Sequence, residues 1–215
     1  MDLNIMIVGV GGQGTLLTSK ILGAAFMMDG HDVKVSEVHG MAQRGGSVVT
    51  YVKCSEKVHS PVIGKGEADL ILAFEQLEAA RWLPFLKPGG RILISTQQID
   101  PMPVITGAEA YPENIIDKID VSEKNIVAVD APELAEKAGS SKAINVVMIG
   151  AMVRFMGLSK YQFEDALTET VPEKYLKMNQ TAFNLGYNAI MSTGEKDFQK
   201  IILKVRSKKP HRGNS

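Results

Sequence analysis

A glycine-rich stretch near the start of the chain has the residue types and spacing of an anion-binding turn. The apolar residues 5–8 lead into Gly9-Val10-Gly11-Gly12-Gln13-Gly14, and apolar residues of helical spacing follow. A strand, a tight turn and a helix N-terminus in this order offer backbone N–H groups to a phosphate. Since such a turn also serves simply to pack a helix on a strand, the pattern leaves two interpretations open, a ligand-binding turn and a structural one.

An acidic residue follows this turn at the distance typical of a ribose ligand. Glu37 lies roughly 20 residues after Gly14, where dinucleotide-binding folds place an acid that holds a ribose hydroxyl. Glu37 is followed closely by His39-Gly40-Met41, which is not the usual surface turn into a helix. Ribose binding by Glu37 is therefore only one of the open interpretations.

The next segment, residues 39–46, combines an imidazole, an amide, a guanidinium and three glycines. Its simplest explanation is a bend that glycine permits before the next strand. Segments dense in glycine and polar side chains are often functional, and a guanidinium binds anions through a planar fork. We therefore favour a loop that contacts a partner or a phosphate, with Arg44 as the anion clamp and with further contacts from His39, Gln43, Gly45 and Gly46.

The elements that position these residues alternate between strands and helices up to about residue 140, and only helices follow. Strands are predicted at residues 5–8, 33–38, 47–53, 67–74, 91–96 and 125–130. No helix separates the second strand from the third, so these two should pair antiparallel. The predicted fold class is α/β, a Rossmann-like three-layer fold with a mostly parallel, mixed sheet and a C-terminal helical segment.

Helices are predicted after the glycine turn and at residues 75–86, 114–119, 132–138, 142–156, 159–169 and 172–190. We expect Lys87-Pro88-Gly89-Gly90 to end a helix, Ser141 to cap one, and residues 100–112 to form a loop. The helix at 142–156 is apolar nearly all round, which is typical of a helix at the centre of a core or an interface. The pattern at residues 197–205 is ambiguous.

Length and composition fit one domain that can bury a core without disulfides. The chain has 215 residues, of which 45% are hydrophobic, and its formal net charge is +0. We place a domain at residues 1–193 and a basic tail at residues 194–215. No apolar run reaches the roughly 20 residues of a membrane span, and a strand that begins almost at Met1 leaves no room for a signal peptide. We expect neither a membrane nor a nucleic acid as a partner.

Cysteine usage and residue spacing exclude several kinds of site. Cys54 is the only cysteine, so the chain has no disulfide framework, no CxxC zinc site and no four-thiolate iron–sulfur site. A reducing, cytoplasmic setting is expected. No His/Asp/Glu spacing indicates a metal site, and no Gly-x-Ser-x-Gly or Cys–His pattern indicates a nucleophile. We therefore assign neither catalytic nor metal-binding residues.

Taken together, the two glycine-rich segments resemble a known family. The stretches Val8-Gly9-Val10-Gly11-Gly12-Gln13-Gly14 and residues 36–48 are similar to the gamma-type domain of 2-oxoacid:ferredoxin oxidoreductases. The form Glu-Val-His-Gly-Met-x-Gln-Arg-Gly-Gly resembles the small beta subunit of the indolepyruvate enzymes. The similarity covers about residues 4–190. It continues through Ser60-Pro61, Ala68-Asp69, Glu78-Ala79-x-Arg81, Asn145 and Gly150.

This resemblance implies an accessory role in a larger enzyme. Complexes of the family decarboxylate a 2-oxoacid oxidatively, form acyl-coenzyme A and pass electrons to ferredoxin. They use thiamine diphosphate with magnesium and iron–sulfur clusters, and the present chain has neither a thiamine motif nor the cysteines for a cluster. The resemblance therefore implies a larger alpha subunit that carries the chemistry. A homodimer of the isolated chain, the stoichiometry of the complex and the identity of the 2-oxoacid stay open.

Two alternative functions are open, and both are those of stand-alone nucleotide-binding enzymes. The turn also resembles the ATP loop of ubiquitin-activating-type adenylyltransferases, but their further arginines, magnesium-binding aspartate and zinc-binding cysteines are missing here. A nicotinamide dehydrogenase would need a catalytic Lys, His or Tyr in a substrate domain, and no candidate stands out. Thermal shift with NAD, ATP and coenzyme A would separate these classes.

Overall fold

A mixed six-stranded sheet forms the middle layer of the protein. The computed structural model describes residues 1–39, 46–122 and 125–190 of the chain. The strands are Leu3–Val10 (β1), Asp32–His39 (β2), Ser47–Ser55 (β3), Ala68–Ala73 (β4), Leu86–Ser95 (β5) and Ile126–Val129 (β6). They lie in the order β2-β3-β1-β4-β5-β6. The predicted α/β fold with a mixed sheet is confirmed.

Parallel and antiparallel pairing divide the sheet at β1. Strand β1 runs parallel to β4, β4 to β5, and β5 to β6, whereas β3 is antiparallel to both β1 and β2. The short connection between β2 and β3 leaves no room for a crossover helix, so the antiparallel pairing expected from the sequence is found. The carboxyl ends of β1 and β2 consequently meet the amino end of β3 at the same edge of the sheet.

Helices cover both faces of this sheet. They are Thr15–Met28 (α1), Gln76–Trp82 (α2), Met102–Ile105 (α3), Ile115–Ser122 (α4), Ala131–Ala138 (α5), Ile144–Met156 (α6), Lys160–Thr170 (α7) and Glu173–Ala189 (α8). Side chains of β1 alternate between two cores, because successive residues of a strand point to opposite faces. Ile5 and Ile7 lie in the core with α1 and α5–α8, whereas Met6 and Val8 lie in the core with α2 and α4.

The apolar helix α6 lies between the sheet and α8. Its residues from Asn145 to Val153 are all buried, which explains why its sequence lacks a polar face. The neighbouring helix α8 approaches it at two glycines, Gly150 and Gly186, where no side chain separates the helices. In the part of the chain that the structure describes, no helix is long and apolar enough to cross a membrane.

Three local predictions were wrong. Lys87-Pro88-Gly89-Gly90 does not end a helix but belongs to β5, since a bulge in the β4–β5 pairing accommodates these residues and Gly90 packs on Leu86. The turn before α6 is capped by Ser140, which accepts a hydrogen bond from the Lys142 N–H, and not by Ser141. The predicted loop at residues 100–112 contains the short helix α3. The ambiguous residues 197–205 lie outside the described part of the chain.

Candidate functional site

The glycine-rich turn lies at the carboxyl edge of the sheet, between β1 and α1. From β1 the chain passes to α1 on one face of the sheet, and from the neighbouring parallel strand β4 it passes to α2 on the other. In open α/β sheets this reversal opens a crevice in which ligands bind. The turn therefore occupies the position where a dinucleotide phosphate would be expected.

The side chain of Gln13 occupies this crevice. Its Oε1 atom accepts a hydrogen bond from the Val10 N–H at 2.6 Å. Its Nε2 atom donates to the Phe74 carbonyl at 2.9 Å and to Oε1 of Gln97 at 2.8 Å. A Cβ atom on Gly9 would lie 2.6 Å from Oε1 of Gln13, so Gly9 leaves room for the glutamine side chain. One side chain thus links the turn, the end of β4 and the segment after β5.

Two other glycines of the turn adopt left-handed backbone conformations. Gly12 has φ +101° and Gly14 has φ +81°, values that side chains other than glycine rarely adopt. Gly14 is also the N-terminal flanking residue of α1, and its carbonyl accepts a 3.4 Å hydrogen bond from the Asn145 amide of α6. A Cβ atom on Gly14 would lie 2.7 Å from that amide nitrogen. Strand, turn and α6 therefore meet at this residue.

The turn is connected to both ends of the second glycine-rich segment. Thr15, the first residue of α1, donates its hydroxyl to Oε1 of Glu37 at 3.1 Å. The Gly11 N–H donates to the Gly46 carbonyl at 2.9 Å. Of the predicted site residues, the structure thus brings together Gly9, Gly11, Gly12, Gln13, Gly14, Glu37 and Gly46. His39 ends β2, its side chain is not described, and Gln43, Arg44 and Gly45 lie outside the described residues.

A buried carboxylate that the sequence analysis did not select lies beside Ser47, where β3 begins. Glu78 of α2 is 4% exposed. Its Oε2 atom accepts hydrogen bonds from the Ser47 hydroxyl and from the Trp82 indole N–H, and its Oε1 atom lies 3.1 Å from Nε of Arg81. The carboxylate is satisfied by these groups, so it holds neighbouring segments in place.

A second buried carboxylate, Glu75, begins the same helix. It caps α2 by accepting a hydrogen bond from the Glu78 N–H at 2.9 Å, and it accepts further bonds from the Ile99 N–H and the Tyr111 hydroxyl. Burial, together with this hydrogen bond to Glu75, raises the pKa of Tyr111 well above its usual value, so the phenol stays a neutral donor. The Glu-x-x-Glu spacing after a buried strand could have indicated both carboxylates in the sequence, because it matches a helix cap.

The described residues offer no donor set for a metal ion or an iron–sulfur cluster. Within residues 1–39, 46–122 and 125–190, no group of three or more His, Cys, Asp or Glu side chains could hold a metal ion. Cys54 is buried on β3, and burial raises its pKa to about 11, so at neutral pH it is a thiol and not a thiolate ligand. We assign no cofactor chemistry to these residues.

Comparisons with known proteins agree with the two motifs. A family model described as pyruvate ferredoxin/flavodoxin oxidoreductase matches residues 4–189. The chain is 41% identical over 196 residues to indolepyruvate oxidoreductase subunit IorB of Archaeoglobus fulgidus, covering 89% of this chain and 97% of the relative. It is also 41% identical over 193 residues to the same subunit of Thermococcus kodakarensis, covering 87% and 96%.

A solved structure shows the same fold in a related protein. The gamma subunit of a keto/oxoacid ferredoxin oxidoreductase from Geobacter sulfurreducens aligns with a TM-score of 0.64 and 26% identity. The alignment covers 86% of this chain and 96% of that subunit. The resemblance expected from the sequence is thus confirmed, and these relatives give no support to a stand-alone nucleotide-binding enzyme. On the match over residues 4–189 and these identities, the chain belongs to the pyruvate ferredoxin/flavodoxin oxidoreductase family.

Proposed function

We propose that this chain is the small, non-catalytic subunit of a 2-oxoacid:ferredoxin oxidoreductase that acts on indolepyruvate or a similar aryl pyruvate. In this reaction the 2-oxoacid loses carbon dioxide, its acyl group passes to the thiol of coenzyme A, and two electrons pass to ferredoxin. Full-length similarity to subunits named for indolepyruvate carries this proposal. The single, buried Cys54 supports a partner subunit that holds the iron–sulfur clusters and thiamine diphosphate.

The test of this proposal is reconstitution. The purified chain alone should show no iron–sulfur absorbance and should not reduce a viologen dye with indolepyruvate and coenzyme A. Addition of the larger subunit should give a complex in which that activity depends on both chains. Turnover by the small chain alone, or full activity of the large subunit without it, would refute the proposal.

Within this proposal, the segment 39–46 contacts the large subunit or the phosphates of coenzyme A. Its two ends lie together at the carboxyl edge of the sheet, beside the glycine turn. Leu16 follows Thr15 in α1, Val38 precedes His39 in β2, and both are large apolar side chains, exposed to 50% and 49%. Exposed apolar side chains around a polar segment favour a protein partner. The glycine turn and Glu37 belong to this contact site because they are hydrogen-bonded where the segment begins and ends. Arg44 supplies the anion-binding group of the site.

Arg44→Ala tests the proposed contact. The variant should remain folded, yet the complex should assemble more weakly or show a raised apparent KM for coenzyme A. Arg44→Lys keeps the charge but not the planar fork, so its assembly and KM should lie between those of wild type and Arg44→Ala. Lys57→Ala removes an exposed cation that follows the carboxyl end of β3, at the other end of the strands, and should behave as wild type. Wild-type assembly and KM in Arg44→Ala would leave the segment as a simple connection between strands.

The domain limits and the location are part of the same proposal. Residues 1–193 form the subunit domain, and residues 194–215 are a basic tail that assembly does not require. A chain truncated after residue 193 should therefore reconstitute as well as the full chain. We also propose a cytoplasmic location, which fits the expected reducing environment of a ferredoxin-linked enzyme.

A further inference from the structure

An open groove of about 560 Å³ lies along α1, bordered by Val35 of the edge strand β2 and by Glu169 near the end of α7. Four of its lining side chains are among the large apolar ones that the described part of the chain exposes: Leu16, Met27, Met28 and Val35. Exposed apolar side chains gathered in one place mark a surface that a partner covers. We infer that this groove is the contact between two copies of the chain, whose α1 helices pack antiparallel around a two-fold axis.

The residues of α1 that line the groove are complementary in size to their own symmetry mates. They recur at helical spacing and so form one stripe along the helix: Leu16, Ser19, Lys20, Gly23, Ala24 and Met27. A two-fold axis through the middle of this stripe places Leu16 of one copy opposite Met27 of the other. By the same symmetry, Ser19 lies opposite Ala24. Large apolar side chains therefore meet at both ends of the contact, and small residues near its centre let the helices approach.

Lys20 and Gly23 form the remaining pair of the stripe, and their shapes also match. A Cβ atom on Gly23 would have no atom within 4 Å, so the groove has free space above this glycine. The aliphatic chain of Lys20 from the second copy fits that space. Glycine is unfavourable in the interior of a helix, and no contact within the described chain requires it at this position. The paired helices give Gly23 a role that the fold of one chain does not.

The charges at the groove favour a second copy as its occupant. Lys20 and Glu169 both line the groove, and neither forms an ion pair with another described residue. In the two-fold arrangement, Lys20 of each copy crosses the groove of the other copy and reaches its Glu169. A partner surface of one charge would attract one of these side chains and repel the other, whereas a second copy pairs both.

This contact goes beyond the proposed function, because it concerns two small chains and can be measured without the large subunit. Leu16 lies where the groove meets the carboxyl edge of the sheet, so it borders both the groove and the proposed contact of residues 39–46. The rest of the stripe runs along α1 away from that edge. Failure of one contact therefore leaves the other to be judged by its own experiment.

Charge reversal in two separate copies tests the pairing. Sedimentation velocity of the full-length chain should show a reversible dimer whose population rises with concentration. Lys20→Glu brings like charges together at both symmetric positions, so the Kd of the dimer should rise about tenfold or more, and Glu169→Lys should do the same. An equimolar mixture of the two variants should dimerise with a Kd within about threefold of wild type, because attractive pairs form only between unlike copies.

Lys118→Glu is the matched control. It makes the same change of net charge at an exposed lysine of α4, on the opposite face of the sheet, so the Kd of the dimer should not change. The pairing is overturned by a wild-type chain that stays monomeric, by reversals that do not weaken the dimer, or by a mixture that dimerises no better than either variant alone. A monomeric chain whose two reversals both weaken binding of the large subunit would assign the groove to that subunit instead.

Discussion

Glycine is required in two regions of this protein, the turn between β1 and α1 and the crossing of α6 with α8, for different physical reasons. In the turn, Gly12 and Gly14 have positive φ angles, and a side chain at Gly12 would meet no atom within 4 Å. At the crossing, Gly150 and Gly186 lie within helices, where φ is ordinary, but the facing backbone is very close.

The difference lies in what a Cβ atom would contact. A Cβ on Gly150 would lie 2.0 Å from the Phe183 carbonyl oxygen, and one on Gly186 would lie 1.9 Å from the Val147 carbonyl oxygen. Backbone atoms of two packed helices cannot move aside as a flexible side chain can. Conformation alone therefore limits Gly12, whereas space limits the two glycines of the crossing, and the cost of substitution should differ accordingly.

The largest effect is expected for Gly186→Ala. Because the new methyl group would overlap backbone of α6, the two helices must separate, and the free energy of unfolding should fall by about 3 kcal/mol or more. Chemical denaturation measures it, and a variant that does not fold at all agrees with the prediction. Gly23→Ala is the matched control, since this helical glycine has no atom within 4 Å of its Cβ position.

That control should change stability in the opposite direction. Alanine is favoured over glycine within a helix, so Gly23→Ala should stabilise the protein by about 0.5–1 kcal/mol. If Gly186→Ala and Gly23→Ala gave the same small change, the close crossing of α6 and α8 would be wrong.

Gly14→Val should have the next largest effect. The valine must adopt a positive φ and also displaces the Asn145 amide, so we expect a loss of about 2–3 kcal/mol in the free energy of unfolding. Thermal melting with and without NAD provides the measurement. A wild-type melting temperature would contradict the structural role, and a lost NAD shift without a change in melting would indicate a ligand site instead.

Gly9 and Gln13 should be energetically coupled. Gly9→Ala forces the Gln13 side chain out of the crevice and should cost about 1–2 kcal/mol. In a Gln13→Ala background the atom that obstructs this methyl group is absent, so the same substitution should cost less, leaving the Phe74 Cβ at 3.3 Å as the nearest contact. A double-mutant cycle measures the difference. Strictly additive effects would show that Gln13 does not occupy the position described.

The smallest effect is expected for Gly12→Ala. Its positive φ is the only obstacle to a side chain there, so the loss should be about 1 kcal/mol. Comparison with Gly14→Ala isolates the contribution of Asn145, because both residues share the backbone strain and only Gly14 faces that amide. Equal losses at the two positions would show that the α6 contact contributes nothing.

Sequence patterns alone predicted most of the strands and helices, because each depends on local periodicity. The burial of most of β4 and α6 follows from their runs of apolar residues, and the antiparallel pairing of β2 with β3 follows from the length of their connection. Errors occurred where tertiary contacts override local signals, as at residues 87–90, which resemble a helix stop but extend β5 through a bulge. The glycine turn was found, yet its own motif could not distinguish a ligand site from a structural turn.

The contacts that bear on that distinction come from segments far away in the chain. Gln97 and Asn145 contact the turn, and Glu78 contacts the start of β3 at Ser47, although no local spacing in the sequence links these residues. The side chain of Gln13 could equally have faced solvent on sequence grounds, because its orientation depends on its distant partners.

The sequence by itself determined the strand–turn–helix and the polar segment that follows it, because backbone conformation is governed largely by nearby residues. Only the tertiary structure decided which polar groups satisfy one another. That outcome depends on how the sheet and both helical layers bring distant residues together, and a pattern of neighbouring residues does not predict it.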